Sequence, residues 1–182
     1  MNTGAAEIIE FWYSDRVKKQ WFASTPELDK EILDKYESAW EKALAGDFDN
    51  WCNEPDSCLA LVIILDQFPL NMFRGQAKSF QSEGKSLQVA QQAVDNGFAQ
   101  ALDKGKLSFL FMPFMHAEDL NRQQQSVALF KKHALEGNIR FAEHHRDIIA
   151  KYGRFPHRNR ILGRESTQEE LNYLASDKAF KG

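Results

Sequence analysis

The chain has 182 residues, of which 43% are hydrophobic and 12% aromatic, with a net charge of -3 and a pI near 6.0. This content of large apolar side chains excludes a disordered or low-complexity protein, and the length suffices for one domain with a sizeable core. A weakly acidic chain also lacks the basic excess of general nucleic-acid-binding proteins, so we expect no nucleic-acid partner.

The N-terminal residues lack the basic and apolar regions of a signal peptide, and no apolar run approaches the roughly 18–20 residues that span a bilayer. The two cysteines, Cys52 and Cys58, show no metal-type spacing and are expected to be reduced thiols. We therefore expect a soluble cytoplasmic protein with no membrane partner.

Capping residues and apolar periodicity predict helices along most of the chain. The first clear helix begins after Ser24 and Thr25, with a proline at its first position, and Ser24 with Glu27 matches a capping box. Apolar residues then recur every three or four positions until Gly46, a typical helix stop. The same pattern predicts a helix over Lys85–Asn96.

Two continuous apolar runs, Cys58–Leu65 and Leu107–Met115, fit a buried strand as well as a buried helix. Neither run is flanked by a hairpin signal or a strand partner. We therefore predict two buried helices that end before Pro69 and Pro113, because proline removes a backbone donor and disfavours a helical residue before it.

The last third of the chain is also predicted to be helical. Asp119–Glu136 places its apolar residues on one face and stops at Gly137, Asn138 caps the next helix, and Thr167 with Glu170 forms a capping box for a short last helix. No break in composition and no flexible linker divides the chain. We predict an all-α fold in a single domain over residues 1–182.

Polar residues directly follow the first apolar run. On a helix, Asp66 points the same way as core residues one and two turns earlier, and its carboxylate faces the negative end of the helix dipole. A cation or several donors should therefore lie nearby, and Arg74 is the nearest candidate. We interpret Asp66 either as a structural clamp with Arg74 or as a general base, with Gln67 and Arg74 as ligand contacts.

A second polar group surrounds the predicted start of the helix at Asp119. For Glu118, the helix dipole alone explains an acidic residue in this place. His116 directly follows an apolar segment, and Gln123 lies among apolar positions of the helix. His116 and Glu118 are candidate acid/base residues, and Gln123 is a candidate ligand contact.

The richest polar stretch is Lys151–Arg164 together with the end of the preceding helix. Residues 138–164 hold seven Lys and Arg against two Asp and Glu, a local +5, so the rest of the chain carries -8. Arginine matches carboxylate or phosphate oxygens, so acidic side chains of the fold or an anionic ligand should meet these cations. The candidates here are His145, Arg146, Arg158 and Asn159 for binding and His157 for acid/base chemistry.

Histidine and carboxylate residues also raise the question of a metal. His116, Glu118, His145 and His157 could form a set, but the spacings of dependable metal motifs are absent, and His145 shares an apolar stripe that includes Phe141. A lone histidine on such a stripe is usually a satisfied core residue. Glycine-rich phosphate loops and a nucleophile elbow are also missing, so we predict no metal and no cofactor.

Several longer motifs carry a resemblance to a known family. They are Ile8-Ile-Glu-Phe-Trp12, Trp21-Phe22, Leu61-Val-Ile-Ile-Leu-Asp-Gln-Phe-Pro69, Asn71-Met-Phe-Arg-Gly75, Phe111-Met-Pro-Phe-Met-His-Ala-Glu-Asp-Leu120, Ser126-Val-Ala-Leu-Phe130, His145-Arg-Asp-Ile-Ile149, Gly153-Arg-Phe-Pro-His-Arg-Asn159 and Leu162-Gly-Arg-Glu-Ser-Thr167. Together they resemble the bacterial domain-of-unknown-function family number 924, and the match covers nearly the whole chain.

That resemblance implies a tetratricopeptide-like α-α superhelix and brings no established activity. The family pattern has a basic residue where this chain has Leu70, and His144 matches no motif position. Three functions stay open: a module that binds an anionic peptide or small ligand, a hydrolase-type enzyme for an anionic small molecule, with or without a metal, and a structural polar network without a ligand.

Overall fold

The computed structural model of the protein describes residues 4–180; the ends of the predicted domain, residues 1–3 and 181–182, lie outside the described residues. This part of the chain contains helices and turns but no strand, which confirms the all-α prediction. The α-helices are α1 (Ala5–Trp12), α2 (Asp15–Lys18), α3 (Pro26–Ala45), α4 (Pro55–Met72), α5 (Glu83–Asp95), α6 (Lys104–His116), α7 (Leu120–Lys132), α8 (Glu136–Tyr152) and α9 (Gln168–Leu174). Short 3-10 helices cover Asp49–Asn53, Ala77–Phe80, Phe98–Gln100 and Pro156–Arg158.

The chain divides into two compact units. Unit 1 comprises the residues up to Arg74 and Lys78–Pro113, and unit 2 comprises Gly75–Ala77 and the residues from Phe114 onward. Whether the chain is one domain with a superhelical, tetratricopeptide-like arrangement stays a prediction. Across residues 4–180, no helix is both long enough and apolar enough to cross a membrane.

Unit 1 is built around α4. Every residue of the predicted apolar run Cys58–Leu65 is at most 1% exposed, because α1, α3 and α5 all pack against this helix. A helix that is apolar on all sides needs such complete cover. The predicted buried helix is therefore confirmed.

The prediction that α4 and α6 end before their prolines is wrong, because both helices continue through Pro69 and Pro113. In α4, Pro69 cannot donate to the carbonyl oxygen of Leu65, four residues earlier. The hydroxyl of Ser82 donates to that oxygen instead, and Trp40 Nε1 donates to the Ser82 hydroxyl at 2.9 Å. A side chain from another helix start thus supplies the donor that proline lacks, and the helix can continue.

The start of α3 differs in detail from the prediction. Thr25 is the cap, since its hydroxyl accepts the backbone N–H of Leu28, whereas the Ser24 hydroxyl donates to Asp29 Oδ1 at 2.7 Å. The expected capping box of Ser24 and Glu27 is therefore wrong. The predicted stop at Gly46 is confirmed, since its φ of 102° lies in the left-handed region.

In unit 2, α7 ends earlier than predicted. Ala134 takes a left-handed φ of 49°, and the N–H of Leu135 donates to the Phe130 carbonyl, which closes α7 as a Schellman turn. Gly137 and Asn138 therefore lie inside the first turn of α8, and their predicted roles as stop and cap are wrong. The capping box of Thr167 and Glu170 at the start of α9 is confirmed.

Candidate functional site

The predicted site residues fall in both units. Unit 1 carries Asp66, Gln67 and Arg74. Unit 2 carries His116, Glu118, Gln123, His145, Arg146, His157, Arg158 and Asn159.

In unit 1, the predicted clamp between Asp66 and Arg74 is wrong. Arg74 follows the end of α4 with 59% of its side chain exposed, and its Nε pairs with Asp29 Oδ2 at 2.7 Å. Asp66 is only 2% exposed and accepts a hydrogen bond from Gln67 Nε2 at 2.6 Å. The same nitrogen lies 3.4 Å from the sulfur of Met112, so Gln67 turns inward.

Asp29, which the sequence interpretation did not single out, is the polar centre of this part of unit 1. Burial raises its pKa, but hydrogen bonds from Arg74, Ser24 and Asn71 outweigh burial and hold the pKa below its ordinary value. The Nδ2 of Asn71 donates to Asp29 at 2.7 Å. This carboxylate therefore ties the start of α3 to the end of α4 and makes Arg74 part of the framework.

In unit 2, Glu118 is bonded on both oxygens. It accepts the backbone N–H of Phe155 at 2.7 Å and two guanidinium bonds from Arg164, at 2.7 and 2.9 Å. Burial raises the pKa of Glu118, but these donors outweigh it and keep the pKa below its ordinary value. A carboxylate so well supplied with donors is a weak proton acceptor, so the geometry favours a framework role over a general base.

A second carboxylate, Glu170, is fully buried and holds the arginine-rich turn from the other side. Arg154 donates to it through Nε at 2.7 Å and Nη2 at 2.9 Å, and Asn159 Nδ2 and the N–H of Thr167 add bonds at 3.2 and 2.8 Å. The guanidinium, opposed by burial, lowers the pKa of Glu170 to about 2. From the sequence, Glu170 is expected only to cap α9. In a capping box the glutamate side chain turns back toward the preceding loop, and this is the signal that could have revealed Glu170 as an acceptor for the arginine-rich turn.

Arg158 is 6% exposed, and its guanidinium group binds the C-terminal end of α6. Its Nη2 donates to the His116 carbonyl at 3.1 Å, and its guanidinium carbon lies 4.6 Å from the Phe155 ring centroid. Gln123 Nε2 donates to the carbonyls of Met115 and Ala117, which fixes the same helix end. These cationic and amide donors satisfy carbonyls that a helix end leaves open.

Arg146 lies apart from this network. It pairs at 2.6 Å with Asp147, the next residue, and both side chains are partly exposed. Of the predicted binding residues in unit 2, the structure thus brings Arg158 and Asn159 into the network and leaves Arg146 at the surface.

His145 and His157 form the remaining part of the site. Nδ1 of His145 donates to the Phe141 carbonyl at 2.8 Å, which fixes its neutral tautomer. Burial lowers the pKa of His145 to about 3, and burial with the Arg158 charge lowers the pKa of His157 to about 4. The stripe prediction is wrong for Phe141, which is 57% exposed.

The chain is similar to a protein family and to a solved structure. The model of a family described as bacterial protein of unknown function (DUF924) matches residues 8–178. The chain belongs to this family. The solved structure of a protein of unknown function, ATU0120 from Agrobacterium tumefaciens, is similar, with a TM-score of 0.89 and 38% sequence identity over 94% of this chain and 96% of that chain. Among curated proteins, none matches the chain.

The DUF924 family brings no activity, so the chemistry of these residues is the basis for a function. The lowered pKa values of His145 and His157 leave both histidines neutral at physiological pH, so neither carries the proton that a general acid must donate. The carboxylates of Glu118 and Glu170 are occupied by hydrogen-bond donors. In residues 4–180, no group of three or more His, Cys, Asp or Glu side chains is placed to hold a metal ion. The arrangement is a rigid polar frame beside a group of aromatic rings, which suits binding better than proton transfer.

Proposed function

We propose that the protein is a binding module and that unit 2 binds an anionic peptide. The observation that carries the proposal is the division of charge between the units. Unit 2 has twelve Lys and Arg against nine Asp and Glu, a net charge of +3, whereas unit 1 has eleven against seventeen, a net charge of -6. A basic surface attracts acidic partners and raises their association rate.

Two arginines of unit 2 are free to meet such a partner. Arg140 in α8 and Arg160, just after the Pro156–Arg158 helix, are exposed and make no side-chain hydrogen bond or ion pair with any described residue. By contrast, Lys151 and Arg154 already hold Glu169 and Glu170. A free guanidinium can bind a carboxylate with two hydrogen bonds, so these two positions are the proposed anion contacts.

The shape of the surface favours a peptide over a small molecule. Unit 2 has a groove of about 370 Å³ between α8 and α9, lined by Lys151, Tyr152, Arg154, Thr167, Glu169 and Glu170. It is more open than enclosed, and its cations and acids are paired with one another. Small-molecule sites are usually more enclosed and more apolar, whereas an extended peptide fits a shallow groove.

The test is the binding of fluorescein-labelled decapeptides, measured by fluorescence anisotropy. We expect a pool rich in Asp and Glu to bind, a matched pool rich in Lys to stay free, and the affinity to fall with added salt. Arg140→Gln and Arg160→Gln should each weaken binding by roughly fivefold, the effect of one exposed charge contact of about 1 kcal/mol.

The matched control is Lys30→Gln, which removes an exposed cation of unit 1 that pairs with Asp34. It should leave the affinity unchanged. Equal binding of both pools, or a loss of affinity in the control as large as in the arginine variants, would contradict the proposal.

A further inference from the structure

The last described residues fold back onto unit 2 and place one aromatic ring in it. After α9, the N–H of Ala179 donates to the Ser176 carbonyl at 3.2 Å, and the N–H of Phe180 donates to the hydroxyl of Tyr173 at 2.9 Å. These bonds join the segment to itself and to α9. They leave the Phe180 side chain pointing at α8 and at the arginine-rich turn.

The Phe180 ring lies between two histidines. Its centroid is 4.4 Å from that of His145 and 5.0 Å from that of His157, with interplanar angles of 60° and 81°. The two histidine rings in turn meet the Phe155 ring at 5.4 and 5.6 Å. Both contacts of the Phe180 ring are edge-to-face, which is favourable for aromatic rings, so His145, His157 and Phe155 form a pocket of the right size for one ring.

Other contacts hold the walls of this pocket in place. His145 is fixed by its bond to the Phe141 carbonyl, and Phe155 is fixed by its backbone N–H on Glu118 and by the Arg158 guanidinium on its face. None of these bonds involves Phe180. Two of the three walls, His145 and Phe155, are therefore preformed, which lowers the cost of binding a ring from outside.

We propose that this pocket takes one aromatic side chain of the peptide partner, and that Phe180 is the internal occupant that must leave first. The inference rests on the proposed function. Residues 175–180 contain no helix, and few contacts hold them, so the ordering entropy of six residues opposes the burial of one ring. An acidic peptide with an aromatic residue would make the same ring contacts and would also meet the free cations of unit 2.

A neutral probe tests the pocket without involving anion binding. We would titrate the full chain and its Phe180→Ala variant with N-acetyl-phenylalaninamide and follow the imidazole signals of His145 and His157 by NMR. The variant should bind the probe at least tenfold more tightly than the unchanged chain, and N-acetyl-alaninamide should shift neither histidine. A folded variant whose histidine signals ignore the probe would overturn the inference.

A second pair of variants decides the matter if Phe180→Ala fails to fold. Tyr173→Phe removes only the hydroxyl that holds Phe180, and the control Tyr13→Phe removes a buried hydroxyl of unit 1 that has no hydrogen-bond partner among the described residues. The first should raise the affinity for the probe several-fold, and the second should not. Equal effects of the two changes on the affinity for the probe would contradict the role of Phe180 as the internal occupant of the pocket.

The same proteins separate this inference from the proposed function. If the neutral probe enters the pocket of Phe180→Ala but acidic peptides do not bind, the pocket stands and the anionic partner is wrong. If acidic peptides bind equally well with and without an aromatic residue, and the probe does not bind, the aromatic pocket is wrong and the anionic binding stands.

Discussion

Glu170 is the residue whose role in the frame of unit 2 can be measured most directly. Its carboxylate is 2% exposed and accepts four hydrogen bonds, two of them from Arg154. Glu170→Gln keeps the shape of the side chain but removes its charge and one acceptor oxygen. We expect a loss of stability without a change of fold.

The pKa gives the size of the loss. A pKa lowered from 4.5 to about 2 corresponds to roughly 3 kcal/mol of stabilisation of the ionised form. The Arg154 side chain is 29% exposed, and solvent screening reduces this value to about 2 kcal/mol. Urea unfolding at pH 7, followed by circular dichroism, should show a deficit of that size in Glu170→Gln.

The pH dependence has a definite sign. Because the folded pKa of Glu170 is depressed, its contribution is fully present above pH 4.5 and is lost as the pH falls toward 2. The deficit of Glu170→Gln should therefore be about 1 kcal/mol smaller at pH 3.5 than at pH 7.

The neighbouring carboxylate supplies the control. Glu169 is 66% exposed, and its one ion-pair partner within residues 4–180 is the exposed Lys151, so Glu169→Gln should leave the unfolding midpoint unchanged. If the two substitutions have equal effects at pH 7, the claim that Glu170 organises the frame is refuted.

Two further predictions concern stability. Ser82→Ala should destabilise the protein by roughly 2–4 kcal/mol, because it leaves a buried indole N–H and a buried carbonyl without a partner. The control Ser86→Ala removes a buried hydroxyl with no described partner and should change the stability little; similar losses for the two variants in urea unfolding would contradict the role of Ser82. The free energy of unfolding should also fall from pH 7 to pH 5, by up to about 1.4 kcal/mol per pH unit for each of His145 and His157. The reason is that the pKa of each histidine is near 6.5 in the unfolded chain but only about 3 for His145 and about 4 for His157 in the folded protein, so acid favours the unfolded chain. His145→Phe should flatten this slope, and an unchanged slope would show that His145 is not the buried neutral group described above.

Local signals in the sequence predicted much of the fold. The cap at Thr25, the stop at Gly46 and the capping box at Glu170 each depend on residues only a few positions apart, so a pattern can reveal them. The end of α7 depends on Ala134, which takes a conformation usually left to glycine, so the next glycine was mistaken for the stop. The path through Pro69 depends on a hydroxyl distant in sequence, and no local pattern could show it.

The site was predictable in composition but not in pairing. The sequence left two kinds of partner open for the arginines, acids of the fold or an anionic ligand, and for Arg164 the partner is Glu118, 46 residues away. The expected partner of Asp66 was wrong because Asp29, 45 residues before Arg74, takes that guanidinium. Phe180 was missed altogether, since a single phenylalanine near the end of a chain carries no signal of where its ring will lie.

The hydroxyl that crosses to α4 makes two distant positions dependent on each other. A residue with a backbone N–H in place of Pro69 would bring its own donor to the Leu65 oxygen, and the Ser82 hydroxyl would then be needed only as the acceptor of the Trp40 indole. Within the family, a relative that has lost the serine should therefore also have lost the proline.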